Sequence, residues 1–329
     1  MHLTWGRRFS LILGVAFAVL IFAPLAVLAQ SYPTRPITMI VPFAPGGETE
    51  FLARIIVEPM REFLGQPIII ENVGGADGSI GTGRAARAAA NGYTIEFGYL
   101  GTHVMNAALY PLPYDVFADF APISLVSRSA PLLFGSKRIP ATDLDGLIAW
   151  LKANPEKGTA AAYTSGSRML NYIFGKQVDT QLTFVPYRGL GPATQDLVAG
   201  EINLLFGTPG AVMPQERAGR IRVYATTGEK RLPVAPDVPT FTEKGMRSLS
   251  YAPWYAIFAP ADTPPEIIGK LNSATVAALT NSSVKAHFAE IGHEIFPADM
   301  LTPEALATLQ RSDAERLLPI MKEANIRAE

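Results

Sequence analysis

The sequence predicts an α/β protein of about two domains, each built on a mainly parallel β-sheet flanked by helices. Short β-branched segments alternate with helical segments from residue 36 onward, a pattern typical of sheets covered by helices. The 329 residues contain no long polar linker, so we expect one domain to be inserted into the other. The apolar segments 125–134 and 251–259 are flanked by Pro and Gly, and we expect the chain to cross between the domains there.

The first strand–loop–helix unit sets this pattern. Residues 37–41 are a β-branched run closed by Pro42, which predicts a buried strand. Apolar residues at helical spacing predict a helix over 51–64. Pro59 should kink this helix because proline removes a backbone donor, and Gly65 should end it.

The same patterns predict the remaining elements in order. Further strands are expected at residues 67–71, 93–99, 120–127, 130–135, 159–163, 182–186, 202–206, 221–226 and 251–258. An Ala-rich helix through Ala89 follows a glycine-rich loop, and further helices are expected at residues 143–153, 168–178, 191–199, 264–279, 283–291 and 303–324. Thr263-Pro264-Pro265-Glu266 matches a capping box with proline at the first helical position.

The composition excludes several classes of protein. The chain has 48% hydrophobic and 17% charged residues, which excludes intrinsic disorder. A formal net charge of −1 argues against nucleic-acid binding. The chain has no cysteine, which excludes disulfides, thiolate metal sites and a cysteine nucleophile.

Residues 1–29 form a predicted export signal. Arg7 and Arg8 precede an unbroken apolar run over 11–23, and small residues lead to Ala29. We expect cleavage near Ala29 and release of the mature chain into a bacterial periplasm. The alternative is an uncleaved membrane anchor, because the apolar run approaches the roughly 20 residues needed to span a bilayer.

Motifs of catalytic and metal-binding proteins are weak or missing. The sequence has no HExxH, Walker A or G-x-S-x-G motif. Gly81-Thr82-Gly83-Arg84-Ala85-Ala86 fits only the loosest dinucleotide fingerprint, because it does not directly follow a strand. We expect no metal and no cofactor. An exported serine hydrolase that uses Ser165 or Ser167, with His103 as its base, is the alternative function.

Two loops at predicted strand ends are suited to binding a small carboxylate. Residues 43–49 join the first strand to the first helix, and residues 164–168 hold the same position in mid-chain. Such junctions present free backbone N–H groups and the positive end of a helix dipole. Gly46 and Gly47 allow the backbone to approach a ligand closely. An ordinary tight turn is the alternative interpretation of each loop.

The sequence around these loops resembles a known family. The resemblance runs in order through Tyr32-Pro33-Thr34-Arg35-Pro36-Ile37, Val41-Pro42-Phe43-Ala44-Pro45-Gly46-Gly47, Leu64-Gly65-Gln66-Pro67, Glu71-Asn72, Gly92-Tyr93-Thr94, Gly101-Thr102-His103, Pro113-Tyr114-Asp115, Asp119-Phe120-Ala121-Pro122-Ile123-Ser124, Val185-Pro186-Tyr187-Arg188-Gly189, Pro236-Asp237-Val238-Pro239-Thr240 and Ala259-Pro260-Ala261-Asp262-Thr263-Pro264. These segments are similar to the Bug receptors, the periplasmic substrate-binding proteins of tripartite tricarboxylate transporters. The resemblance covers essentially all of residues 31–329.

The resemblance implies a two-lobed periplasmic-binding-protein fold of the Venus-flytrap, type II-like kind. It implies a small organic acid between the lobes, no catalytic activity, and delivery to a membrane permease of the tripartite tricarboxylate transporter type. With the crossings placed as above, lobe 1 comprises residues 30–127 and 255–329, and lobe 2 comprises residues 128–254. We expect a monomer without nucleic acid. The expected ligand-binding residues are Phe43, Ala44, Pro45, Gly46, Gly47, Glu48, Thr49, Thr102, His103, Thr164, Ser165, Gly166, Ser167, Arg168, Tyr187, Arg188, Gly189 and Thr208.

The first loop departs from the family pattern at Glu48. Bug receptors commonly carry Pro-Gly-Gly-Gly-Thr-Asp at this point, whereas this chain continues from Gly47 into Glu48-Thr49-Glu50. A carboxylate beside a carboxylate-binding loop repels the ligand unless it is paired or points away. We therefore expect Glu48 to face solvent, to pair with Arg168 or Arg188, or to meet a cationic group on an amino-acid-like ligand.

Overall fold

The computed structural model describes residues 32–324. The predicted export signal and its cleavage site near Ala29 lie outside the described residues. Both β-sheets belong to one compact unit that begins at Arg35. Within the described residues, no helix is both long enough and apolar enough to cross a membrane.

The described chain forms two mixed β-sheets. In chain order the strands are β1 (Ile37–Val41), β2 (Ile68–Asn72), β3 (Thr94–Tyr99), β4 (Phe120–Arg128), β5 (Leu132–Ser136), β6 (Thr159–Ala162), β7 (Thr183–Pro186), β8 (Leu204–Gly207), β9 (Ile221–Thr226), β10 (Trp254–Pro260) and β11 (Glu294–Ile295). The six-stranded sheet has the order β11-β4-β10-β3-β1-β2, and the five-stranded sheet has the order β7-β6-β8-β5-β9. We call the six-stranded sheet with its helices lobe 1, and the five-stranded sheet with its helices lobe 2.

Neither sheet is mainly parallel, which corrects the expectation from the sequence. β1 pairs in parallel with β2 and β3, and β6 pairs in parallel with β7 and β8. β10 runs antiparallel to β3 and β4, and β5 runs antiparallel to β8 and β9. The crossings are the reason. A strand that arrives from the other lobe must run away from the cleft, whereas the strands that end in the cleft loops run toward it.

The two crossing strands are completely buried. All residues of β5 and all residues of β10 are buried. They are central strands with neighbours on both sides and helices on both faces, so their continuous apolar sequence is what such a position requires. Each crossing strand thus lies inside its sheet, with a paired strand on either side.

Ten α-helices are described around the sheets. In chain order they are α1 (Glu48–Leu64), α2 (Ser79–Ala86), α3 (Leu100–His103), α4 (Leu144–Ala153), α5 (Ser165–Gln177), α6 (Leu190–Ala199), α7 (Pro209–Arg217), α8 (Pro265–Thr280), α9 (Ser282–Glu290) and α10 (Pro303–Glu323). α1 and α5 each begin three residues before the predicted start, because polar residues of the preceding loops already have helical geometry. The helices thus reach closer to the cleft than the apolar pattern indicates.

The predicted capping box before α8 is wrong. Pro264 is the N-cap residue and contributes no side-chain hydrogen bond. The Thr263 hydroxyl instead donates to the carbonyl oxygen of Pro260 at 2.7 Å. Pro265 does occupy the first helical position. Proline in this position starts the helix because its fixed φ angle matches the helix and its missing N–H is not needed there.

Candidate functional site

The candidate site lies between the lobes, at the loops that follow β1, β2, β6 and β8. These loops lead into α1, α2, α5 and α7, so each places the first turn of a helix at the cleft. One hydrogen bond joins the two lobes here. The backbone N–H of Ser165 in lobe 2 donates to Oδ2 of Asp77 in lobe 1 at 2.8 Å. Loops at the carboxyl ends of strands are the usual ligand-binding positions of α/β sheets.

Glu48, the first residue of α1, lies beneath the cleft against the crossing strands. The Tyr255 hydroxyl donates to its Oε2 at 2.8 Å, and Nε2 of His293 lies 3.2 Å from its Oε1. Burial by itself raises the pKa of Glu48, but hydrogen bonds from His293 and Tyr255, the charge of His293 and the nearby Thr208 hydroxyl outweigh burial and lower it. Glu48 is therefore ionised at neutral pH.

A serine on β4 orients His293. Oγ of Ser127 lies 3.1 Å from Nδ1 of His293, so serine, imidazole and the Glu48 carboxylate form a continuous chain. Ser127 has no exposed surface, whereas about a fifth of the Glu48 side chain is exposed, at 20%. The serine is at the buried end of the chain and the carboxylate is at the cleft. This order suits the support of a charge and not attack by a serine on a substrate.

Asp77 is a second carboxylate in the cleft. Besides the bond from Ser165, the Tyr99 hydroxyl lies 3.4 Å from its Oδ1. Asn106 donates to the Asp77 carbonyl oxygen at 2.8 Å and fixes the loop. Burial raises the pKa of Asp77 to about 6, although the bond from the Ser165 N–H and the charge of Arg168 offset part of that increase.

The loop that carries Asp77 is held in an unusual backbone conformation. Four consecutive residues, Gly75 to Gly78, have positive φ, with 47° at Ala76 and 49° at Asp77. Non-glycine residues adopt this left-handed conformation at a cost of about 1–2 kcal/mol each. A Cβ at Gly78 would come within 2.6 Å of Thr102, so the loop is packed against α3. The contacts of the loop offset this strain and keep Asp77 bonded to Ser165 of lobe 2.

Four tyrosines surround the two carboxylates. The rings of Tyr99 and Tyr255 stack with their centroids 6.0 Å apart. The Tyr163 hydroxyl donates to the Phe206 carbonyl oxygen at 2.9 Å, and the Tyr251 hydroxyl lies 3.4 Å from the Met105 sulfur. Burial raises the pKa of all four hydroxyls, and nearby negative charges raise it further. The hydroxyls are therefore neutral donors at physiological pH.

Comparison with known proteins identifies the family. Residues 52–326 match the TctC family, described as Tripartite tricarboxylate transporter family receptor. This match covers more than half of the chain. The chain belongs to the TctC family.

Individual relatives agree with this assignment. The TctC-family chain is 35% identical to BugT of Bordetella pertussis over 290 residues, which cover 87% of this chain and 88% of BugT. MatC from Rhodopseudomonas palustris, solved with bound malate, is 34% identical with a TM-score of 0.82, and the match covers 88% of this chain and 100% of MatC. Rpa4515 of the same organism, solved with adipate, is 32% identical with a TM-score of 0.84 over 90% of this chain and 100% of its own. The expected Bug resemblance and the two-lobed α/β fold of a periplasmic binding protein are confirmed.

In the first loop expected to bind ligand in this TctC receptor, residues 43–49, one backbone N–H group already has a hydrogen-bond partner. Gly46 has φ of 83° and its N–H donates to Oε2 of Glu50 at 2.6 Å. Arg54 in turn binds Glu50. Ala44, Pro45 and Gly46 are exposed, Phe43 and Gly47 are half-buried, and Thr49 is buried. The Gly46 N–H would have to exchange Glu50 for a ligand carboxylate.

The structure does not pair Glu48 with Arg168 or Arg188, and Glu48 does not simply face solvent. Its carboxylate instead contacts Nε2 of His293 at 3.2 Å. The sequence could not show this, because His293 follows Glu48 by 245 positions. Arg188 is exposed on lobe 2, and Arg168 lies half-buried beside Asp77.

The second loop, residues 164–168, caps α5. Thr164 is the N-cap, and Oγ of Ser167 accepts hydrogen bonds from the N–H groups of Tyr163 and Thr164. The Ser167 hydroxyl is thus a structural cap. Oγ of Ser165, by contrast, is buried and has no hydrogen-bond partner among the described residues. A Cβ at Gly166 would come within 2.6 Å of the Tyr251 hydroxyl, so only glycine fits there.

The remaining expected residues divide between core and cleft. His103 has no exposed surface, stacks on Phe258 with centroids 3.8 Å apart, and contacts Thr102 through Nδ1. Both residues thus belong to the core of lobe 1, because α3 turns their side chains inward. The Tyr187 hydroxyl donates to Asp196 at 2.7 Å, and Gly189 is the N-cap of α6. Thr208 is buried, and its Oγ1 has no partner that meets hydrogen-bond geometry in the described chain.

Sequence reasoning missed several side chains of the site. They are Asp77, Tyr99, Tyr163, Tyr251, Tyr255 and His293. Asp77 left only a weak signal, because it is the one carboxylate in the glycine-rich stretch from Gly74 to Gly83 but aspartate is also common in ordinary turns. The tyrosines left none, because a tyrosine in an apolar strand is equally expected in a core.

Proposed function

We propose that this TctC-family receptor is a periplasmic solute-binding protein that captures a small organic carboxylate between its lobes. The family to which the chain belongs consists of transporter receptors. MatC with malate and Rpa4515 with adipate are relatives that bind such acids. The observation that carries the proposal is the direct bond from Ser165 of lobe 2 to Asp77 of lobe 1, which brings the loops of both lobes to one place.

The chemistry at this place suits a polar ligand. Two buried hydroxyls, Ser165 Oγ and Thr208 Oγ1, have no partners among the described residues. A buried polar group without a partner costs free energy, and a ligand oxygen or nitrogen between the lobes would supply that partner. The N-termini of α5 and α7 add partial positive charge on the lobe 2 side.

Binding would close the lobes about the crossing strands. The closed form would then be presented to a membrane permease of the tripartite tricarboxylate transporter type. The domain boundaries proposed for this motion remain residues 30–127 with 255–329, and residues 128–254. We infer that the receptor acts as a monomer without catalysis, after export with removal of its signal near Ala29.

A hydrolase is the less favoured function. Ser167 is committed to capping α5, and His103, the base considered for it, is enclosed in the core of lobe 1. Ser165 has a free hydroxyl, but its nearest titratable partner is the Asp77 carboxylate and not an imidazole. A nucleophilic serine needs an adjacent base that can take its proton efficiently.

A ligand screen separates these functions. The mature chain is mixed with a panel of mono-, di- and tricarboxylates, and thermal shift is followed by calorimetry. We expect one chemical group of acids to raise the melting temperature with saturable binding, and no turnover of ester or amide substrates. Absence of binding to every acid, or turnover abolished by Ser165→Ala, would overturn the proposal.

A further inference from the structure

The charge in the cleft is unusual for a receptor of anions. Two carboxylates, Glu48 and Asp77, face the space between the lobes, and both lie in lobe 1. The basic side chains beside them are His293, which already bonds Glu48, and Arg168, whose charge acts on Asp77. A dianionic ligand would add two further negative charges next to these carboxylates.

Asp77 also occupies the position that a ligand carboxylate would be expected to use. The N–H of Ser165 is the first backbone donor of α5, a helix of 13 residues, and Asp77 accepts its hydrogen bond. Helix N-termini favour negative charge because their first N–H groups are unsatisfied. Here the receptor supplies that negative charge itself.

Both carboxylates retain free acceptor capacity. A carboxylate offers about four lone-pair positions. The bonds from Tyr255 and His293 use one position on each Glu48 oxygen, and those from Ser165 and Tyr99 do the same on Asp77. Each group can therefore accept further hydrogen bonds from a donor on the ligand.

A buried hydroxyl without a partner accompanies each carboxylate. Thr208 is 8% exposed and faces Glu48, and Ser165 is 1% exposed and adjoins Asp77. Neither oxygen has a partner with hydrogen-bond geometry within residues 32–324. A hydroxyl oxygen has two acceptor lone pairs, so each of these oxygens adds an acceptor for an ammonium group beside the carboxylate.

Aromatic faces complete the surroundings. Tyr163 lies within electrostatic reach of both Glu48 and Asp77. The rings of Tyr99 and Tyr255 stack on each other. Ring faces attract cations and are neutral toward the apolar part of a ligand. Acidic groups, acceptor hydroxyls and ring faces all favour a positive charge.

We propose that the ligand of this receptor carries a protonated amine as well as a carboxylate, and that Glu48 and Asp77 bind the amine. This inference rests on the proposed function, because it specifies which acids the same cleft accepts. The predicted class is amino acids and other amine-bearing small acids. Acids that lack the amine are disfavoured by repulsion from the same two carboxylates.

Matched ligands test the inference. Succinate, malate and aspartate have one carbon skeleton and carry hydrogen, hydroxyl and ammonium at the same carbon, and glutarate with glutamate forms a second series. Calorimetry at low and at physiological salt measures each affinity. We expect the ammonium member to bind at least about tenfold more tightly than the others, the size of a charge-assisted hydrogen bond.

Variants locate the effect. Glu48→Gln and Asp77→Asn keep shape and an acceptor oxygen, and each should reduce the preference for the ammonium member by about tenfold. Glu62→Gln on α1 and Asp179→Asn, an exposed aspartate that also has positive φ, are the matched controls and should leave it unchanged. Circular dichroism and melting temperature verify folding of each variant.

The outcomes separate the two proposals. Equal or tighter binding of succinate or glutarate overturns the amine inference and leaves the carboxylate receptor intact. Equal binding of malate and aspartate also overturns it, because the site would then need a hydrogen-bond donor and not a charge. A preference that persists unchanged in both variants overturns the assignment to Glu48 and Asp77. Failure of every acid in a broad screen overturns the receptor function itself.

Discussion

Glu48 and Asp77 show how the same burial gives opposite results at two residues. Burial raises the pKa of both carboxyls, but Glu48 receives donors from Tyr255 and His293 and its pKa falls. Asp77 has one short bond and one long bond, and its pKa rises to about 6. The partners therefore decide the charge, as expected when hydrogen bonds and burial oppose each other.

The raised pKa of Asp77 makes stability depend on pH. Between its ordinary value of 3.8 and its folded value of about 6, the folded chain holds a proton that the unfolded chain releases. The stability of the wild-type protein thus falls as pH rises through this window, by about 3 kcal/mol in full. Asp77→Asn removes that dependence.

Urea unfolding at a series of pH values measures the effect. The free energy of unfolding of Asp77→Asn, relative to wild type, should increase from about pH 4 to about pH 7 and then level off. Asp179→Asn serves as the control and should run parallel to wild type. A constant difference between Asp77→Asn and wild type would contradict the assigned titration.

The close packing around Gly166 predicts how a substitution there changes stability. Its Cβ position lies 2.6 Å from the Tyr251 hydroxyl, so Gly166→Ala should destabilise the protein by about 1–3 kcal/mol through overpacking. Gly269→Ala in the middle of α8 meets open space and should instead stabilise by about 0.5–1 kcal/mol. Chemical denaturation compares the two variants. Equal effects would show that Tyr251 moves aside freely.

At the scale of elements, β3 and α3 share a buried pair beneath the cleft. Nε2 of His103 lies 3.6 Å from Oε2 of Glu96, and Thr82 donates to the other Glu96 oxygen at 2.7 Å. Burial raises the pKa of Glu96 to about 8 and lowers the pKa of His103 to about 3. Both groups are therefore neutral at pH 7, which is the less costly way to bury them.

This pair predicts a stability optimum on the acidic side of neutrality. Between 4.5 and about 8, the folded chain keeps the Glu96 proton that the unfolded chain loses, so stability from this group falls as pH rises. His103 acts in the opposite direction between about 3 and 6.5, since only the unfolded chain protonates it there. The two slopes cancel where these windows overlap.

Glu96→Gln isolates the carboxyl contribution. The variant keeps an acceptor for Thr82 but cannot ionise, so its free energy of unfolding relative to wild type should rise from about pH 5 to about pH 8. Denaturation curves at both pH values check this, with Glu62→Gln as the exposed control. A difference that does not change with pH would mean that Glu96 is ionised in the folded protein.

At the scale of the whole molecule, few polar contacts hold the lobes together. They include the Ser165–Asp77 bond, the Tyr251–Met105 contact, and an exposed ion pair of Lys176 with Glu323. Exposed ion pairs contribute about 0–1 kcal/mol. A ligand that contacts both lobes can therefore shift the balance between open and closed forms.

Energy transfer between the lobes measures this closure. The chain has no cysteine, so Glu62→Cys in lobe 1 and Lys157→Cys in lobe 2 provide specific labelling positions. Ligand should raise the transfer efficiency at saturation, because closure shortens the distance between the lobes. Labels at Glu62→Cys and Glu266→Cys, both in lobe 1, should report no change. Unchanged transfer in the first pair would contradict closure.

Much of the architecture could be predicted from local patterns. The runs at 37–41 and 251–258 match β1 and much of β10, because β-branched and apolar runs bounded by proline favour strands. The prediction of mainly parallel sheets was wrong because β5 and β10 run antiparallel to their neighbours, and the direction of a strand depends on which lobe receives it. The predicted capping box before α8 does not form, because the Thr263 hydroxyl donates its hydrogen bond to the carbonyl oxygen of Pro260, four residues before the N-cap.

The sequence by itself determined the family, the positions of the two cleft loops, and the type and order of most elements, but it did not predict α3, α7 or β11. Only the tertiary structure decided which side chains meet there. Glu48 and His293 are 245 positions apart, and Asp77 and Ser165 are 88 apart. Periodicity reports on neighbours within one helix or strand, whereas contacts across the cleft depend on how the two sheets are placed. The charge of the site follows from those contacts, so it became visible only in the folded chain.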